Sequence, residues 1–98
     1  MKLFLHKPKD NSWSIFRKAG YLQHPDRRHG VSYFRSLQRG LYPRFHIYVE
    51  KEEPGETLVF TLHLDQKKPS YEGSRGHSGE YDGEIVEGEA ERIKNLLK

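Results

Sequence analysis

Two stretches of alternating character constrain this chain more than anything else in it. Phe45, Ile47 and Val49 alternate against Arg44, His46, Tyr48 and Glu50, and Leu58, Phe60, Leu62 and Leu64 alternate against Thr57, Val59, Thr61, His63 and Asp65. A period of two marks strands with one face on a core and the other facing outward. Glu53-Pro54-Gly55-Glu56 between them is turn chemistry, so 44–50 and 57–65 are read as a β-hairpin. Pairing Glu53 with Glu56 sets Phe45 opposite Leu64, Ile47 opposite Leu62 and Val49 opposite Phe60, which gathers both apolar sets on one side. A shift of two residues either way keeps the faces together, whereas a slip of one exchanges them. A Pro-Gly turn fits hairpin twist poorly, so a bulge near it is expected.

The remaining elements are built around that hairpin. Met1 to His6 is read as a short strand closed by Pro8, and Asp10-Asn11-Ser12 supplies side-chain oxygens for the free amides of a first helical turn. Trp13, Phe16 and Ala19 then recur at helical spacing, and Gly20 can take the left-handed conformation that ends a helix, with Tyr21 as an apolar clasp. The spacing predicts a helix over 12–19. His24 to Gly30 reads as a loop, 31–38 as a strand and Arg39-Gly40-Leu41-Tyr42-Pro43 as a turn. Residues 66–84 are rich in Gly, Ser and Pro and are expected to form a long surface loop. Val86, Ala90, Ile93 and Leu97 form one stripe of a helix over 86–97, with Glu84, Glu87, Glu89 and Glu91 at its start and Arg92, Lys94 and Lys98 at its end. The expectation is one α+β domain over 1–98, ordered (β)-α-β-β-β-α. Its sheet has three or four mainly antiparallel strands, with two helices on one face.

Composition sets the outer bounds. With 98 residues there is material for one small core. Cysteine is absent, which removes disulfides, thiolate ligands and a cysteine nucleophile. No apolar run approaches the ~18 residues of a membrane span, and Met1-Lys-Leu-Phe-Leu-His6 is short for a signal peptide, so a cytoplasmic location away from membranes is expected. The net charge of +3 is unevenly spread. Residues 1–49 carry ten Lys/Arg against Asp10 and Asp26, a balance of +8, and residues 50–98 carry seven against twelve Asp/Glu, a balance of −5. Either a polyanion-binding face or complementarity within the chain accounts for that division.

Two constellations carry chemistry. The derived register sets His46 opposite His63 and Arg44 opposite Asp65 on the face without the apolar set, and the 66–84 loop adds His77. Imidazole nitrogens with a carboxylate suit zinc or manganese and leave positions for water, which makes a metal-binding protein or metal-dependent hydrolase one reading of His46, His63, Asp65 and His77. The plain alternative is solvated polar side chains with a surface ion pair worth under ~1 kcal/mol. The second constellation is basic and aromatic. Arg44 and Tyr48 on that face, Arg35 on the neighbouring strand, and Arg27, Arg28, His29 and Arg39 around it suit stacked bases and phosphates. The function expected first is a small nucleic-acid-binding module on this basic, aromatic sheet face, with RNA or another polyanion as partner; the metal reading and a protein-interaction domain without catalysis are the alternatives. The serines lie in no nucleophile-elbow setting, and the glycines at 73–79 follow no strand that leads into a helix.

The run Leu64-Asp-Gln-Lys-Lys-Pro-Ser-Tyr-Glu-Gly73 with His77-Ser-Gly-Glu-Tyr-Asp-Gly83 resembles segments of small uncharacterised prokaryotic proteins and implies no activity. Phe16-Arg-Lys-Ala-Gly-Tyr21 ahead of a three-stranded sheet and a last helix resembles the layout of HicA-type toxins. That resemblance implies a fold like double-stranded-RNA-binding domains and contact with RNA. In those proteins the catalytic histidine follows a Gly-Ser pair after the first helix. Here His29 precedes Gly30, and Val31 separates Gly30 from Ser32, so the resemblance carries RNA binding further than RNA cleavage.

Overall fold

The structure is a computed structural model, described for residues 1–26, 30–37, 39–40, 42–66, 79–80 and 83–96. Its elements are β1 (Lys2–Leu5), α1 (Ser12–Lys18), β2 (Leu22–Asp26), β3 (Gly30–Ser36), β4 (Arg44–Lys51), β5 (Leu58–Asp65), β6 (Gly79–Glu80) and α2 (Glu84–Leu96). The strands form one sheet in the order β1-β5-β4-β3-β2, every pairing antiparallel. The short β6 shares an edge of β5 with β1, opposite Leu64 and Asp65.

The α+β class and the two helices are as expected, but the sheet is larger than the three or four strands predicted. The difference is β2. His24 to Gly30 reads as a loop in the sequence, yet residues 24–26 belong to β2, an edge strand, where the missing amide donor of Pro25 breaks no interior ladder. Likewise Gly79–Glu80 in the expected 66–84 loop is strand, and α2 begins at Glu84; residues 67–78 of that loop lie outside the described residues.

The hairpin register is the derived one. Phe45 faces Leu64, Ile47 faces Leu62 and Val49 faces Phe60, with a bulge between Val49 and Lys51 that absorbs the mismatch of the Pro54-Gly55 turn. Both helices pack on the apolar side of this sheet. Ile15, Phe16 and Ala19 from α1 and its exit, with Val86, Ala90 and Ile93 from α2, join Leu3, Tyr33, Phe45, Ile47, Leu58, Phe60, Leu62 and Leu64 in one core. Phe16 is its centre, with ring centroids 5.0 Å from Phe60 and 4.9 Å from Tyr33. Trp13, expected on the inner stripe, lies outward and half exposed, because Ser12, Ile15 and Phe16 take the inner face. No described helix is long and apolar enough to cross a membrane.

Polar groups tie the helices down at both ends of α1. Asn11 caps it, its Oδ1 accepting from the Ser14 amide at 2.8 Å, and Glu52 beyond β4 accepts from both the Ser12 amide and its hydroxyl at 2.6 Å. At the other end Gly20, with φ of +96°, closes a Schellman turn in which the Tyr21 amide donates to Phe16 O at 2.8 Å. Buried Glu89 of α2 then accepts from Tyr21 Oη at 2.5 Å and from Arg92 at 2.8 and 2.9 Å, and Arg92 Nη2 donates to Ala19 O at 2.6 Å. Glu89 read in isolation is one more acid near a helix N-terminus. In the fold it is the buried link between the two helices.

Burial, and then the Glu89 charge beside it, holds the Tyr21 hydroxyl protonated well above its ordinary 10.0. Below pH 10 both folded and unfolded chains carry this proton. As pH rises further the unfolded chain loses it first, so stability falls, by up to about 1.4 kcal/mol per pH unit from this group. Tyr21→Phe is expected to cost about 1–3 kcal/mol at neutral pH and to remove that share of the alkaline slope. Urea unfolding between pH 7 and 11 measures both; an unchanged slope would refute the assignment.

Candidate metal centre

The sheet face away from the helices carries Leu22 and His24 of β2, Ser32 and Phe34 of β3, Arg44, His46 and Tyr48 of β4, and Thr61, His63 and Asp65 of β5, as the pairings require. No described helix covers it, yet His46 and His63 are each only 6% exposed. Rings account for part of that burial. His46 lies 4.1 Å from both Phe34 and Tyr48 and 4.6 Å from His63 between centroids, and His24 meets the far side of Phe34 at 5.4 Å.

Asp65 organises the polar groups. It stands opposite Arg44 and two residues beyond His63, so its carboxylate reaches diagonally to His46. Oδ2 accepts from His46 Nδ1 at 3.2 Å, Oδ1 lies 3.1 Å from His63 Nε2, and Arg44 Nε stands 3.5 Å from Oδ2. Burial pushes the Asp65 carboxyl upward, but hydrogen bonds from His46 and His63 outweigh it and hold the group well below the usual carboxylate range. Burial lowers the His46 imidazole below its ordinary 6.5 more than Asp65 raises it, so this ring is neutral at pH 7. A neutral ring that donates from Nδ1 carries its lone pair on Nε2. That atom is buried and has no hydrogen-bond partner.

One donor atom from each of His46, His63 and Asp65 lies within 4.8 Å of the others, and this group could hold a metal ion. Its two nitrogens and one oxygen are the donor set of zinc, manganese and non-haem iron sites. The two nitrogen–oxygen separations, 3.2 Å from His46 Nδ1 to Oδ2 and 3.1 Å from His63 Nε2 to Oδ1, are hydrogen-bond contacts to different carboxylate oxygens, and an ion held here would replace them. A separate cleft of about 980 Å³ beside Trp13, Tyr33 and the β4–β5 turn lies on the helix side and contains none of these donors.

The remaining candidate residues are scattered. Arg35 points to the helix side, where its Nη1 is 3.5 Å from Glu89 Oε1, so it is not on the aromatic face where a nucleic-acid role was expected. Its position follows from β3 pairing, which sets it opposite core residue Phe45. Arg44 and Tyr48 are on the open face but half-buried, Arg44 lying over Phe34 at 3.8 Å and Tyr42 at 4.6 Å. Arg39 is exposed, and Arg27, Arg28, His29 and His77 lie outside the described residues. Ser32, which the sequence places in no catalytic setting, faces Tyr48 on the same side, and its buried Oγ has no hydrogen-bond partner among the described residues. Only the β3–β4 register reveals it.

Comparison with protein-family models, curated proteins and solved structures returned no match. The element order also departs from the HicA-type layout, since β1 and β2 extend the sheet on both sides of β3 to β5.

Asp65→Ala leaves a largely buried guanidinium without its counter-charge and two imidazoles without the carboxylate they share. The expected loss is about 3 kcal/mol in metal-free buffer at pH 7, read from urea unfolding. A loss under about 1 kcal/mol would show that the pairings are weak surface contacts.

Proposed function

We propose that this protein binds a divalent transition metal, zinc or manganese, through His46, His63 and Asp65. Positions on the ion not taken by these three are open to water, as in metal-dependent hydrolases. The observation that carries this reading is the convergence of three donors on one patch of the β4–β5 hairpin, beside the unpartnered His46 Nε2. Wild-type protein is expected to take up one equivalent of zinc or manganese at micromolar concentration, and His63→Ala none, by isothermal titration and elemental analysis. Metal at a hundred times its Kd stabilises the fold by about 2.7 kcal/mol, a second measure of the same event. Failure of both ions to bind at micromolar concentration would end this reading.

A second reading, of RNA binding, is favoured by one observation. The rings of His24, Phe34, His46 and Tyr48 follow one another across this face with the Arg44 guanidinium on Phe34, and the half-buried Phe34 and Tyr48 are the ones placed to meet unpaired bases. Replacing Arg27 and Arg28 with Glu is expected to weaken binding of a short single-stranded RNA and to flatten its salt dependence. Fluorescence anisotropy across a salt series reads both, and an unchanged salt slope would remove those arginines from any interface.

A further inference from the structure

Among the described residues, three buried side-chain atoms lack a hydrogen-bond partner: Ser32 Oγ, Arg44 Nε and His46 Nε2. All three belong to the open face, and none is on the helix side. Unsatisfied buried polar atoms are rare and costly, so their collection on one face marks a place able to hold water or a polar ligand. Arg44 is the informative member. Its guanidinium carbon lies 3.8 Å from the ring centroid of Phe34 and 4.6 Å from that of Tyr42, and its Nε stands 3.5 Å from Asp65 Oδ2. Two rings confine the guanidinium, and neither Nη1 nor Nη2 makes a hydrogen bond to a described residue. A fixed planar fork fits two oxygens of one oxyanion.

Charge selects the kind of anion. Without a metal, Arg44 and Asp65 balance each other among the described charges of this face. A bound divalent ion leaves two positive charges in excess, beside open coordination positions and an unspent fork. We propose, resting on the metal reading above, that the metal-loaded site binds a phosphate group, with one oxygen on the ion and others accepting from the Arg44 fork. Phosphate carries close to two negative charges at neutral pH and has oxygens for both partners. The group is either free phosphate or the phosphate of a nucleotide, and Phe34 and Tyr48 are placed to meet a base in the second case.

The test uses the full chain loaded with cobalt(II), whose visible absorption reports its ligands. Inorganic phosphate is expected to shift the cobalt bands, and to bind the metal-free protein at least about tenfold more weakly. Arg44→Gln should keep the cobalt spectrum, hold cobalt as tightly or more tightly because a neighbouring cation is gone, and lose about tenfold in phosphate affinity. A change that merely disturbed the fold would weaken both ligands together. Arg44→Lys retains the charge without the fork and should fall between; it also serves if the Gln variant does not fold. A 5′-phosphorylated trinucleotide binding more tightly than phosphate assigns a nucleotide, and equal binding assigns the free anion. Cobalt bands that ignore phosphate, or Arg44 variants with unchanged phosphate affinity, would overturn the proposal and leave the metal site standing. Failure of cobalt to bind would overturn the metal reading and this proposal with it.

Discussion

The pairing of β4 with β5 in a single register is the constraint on which the rest depends. It puts Phe45, Ile47 and Val49 with Phe60, Leu62 and Leu64 on one side, and Arg44 and His46 with His63 and Asp65 on the other. A slip of one residue would move histidines and a carboxylate into the core and core residues into water, a cost that no other contact offsets. Core and candidate site are therefore two faces of the same decision. Each helix packs where it does because the apolar face is there, with Phe16 filling the space between Phe60 and Tyr33.

The two faces use buried charge differently. On the helix side Glu89 is enclosed by Tyr21 and Arg92, with Arg35 nearby, and its contacts join α2 to the end of α1. The carboxylate there is satisfied, and the cluster explains packing. On the open side Asp65 is also shared among three partners, but Arg44 and His46 keep buried atoms with no partner. A satisfied network rigidifies a fold; buried atoms left without a protein partner are where water, an ion or a ligand can be held. That contrast, more than the presence of two histidines, separates the candidate site from the structural cluster.

The uneven charge along the chain has a similar resolution. Lys2 pairs with Glu50, Arg35 with Glu89 and Arg44 with Asp65, so each pair joins a base from the first half to an acid from the second. Complementarity within the fold takes up part of the basic excess that otherwise argues for a polyanion. Arg39, exposed on its turn, is a basic residue the fold leaves outside these pairs.

Local chemistry was sufficient for much of this. Alternation at 44–50 and 57–65 determined the hairpin, its register and the meeting of His46 with His63, because side-chain period and turn symmetry are short-range properties. Asn11 and Gly20 determined where α1 starts and ends for the same reason. Long-range decisions were not legible. Edge position made Pro25 acceptable in β2, and the pairing of β3 with β4 turned Arg35 toward Glu89 and Ser32 toward the open face. The diagonal reach of Asp65 to His46, and the stacking of Arg44 on Phe34, bring together residues on different strands. The sequence by itself determined which residues share a strand face. Tertiary structure decided which of them touch, because contact across strands depends on pairings whose partners lie far apart in the chain.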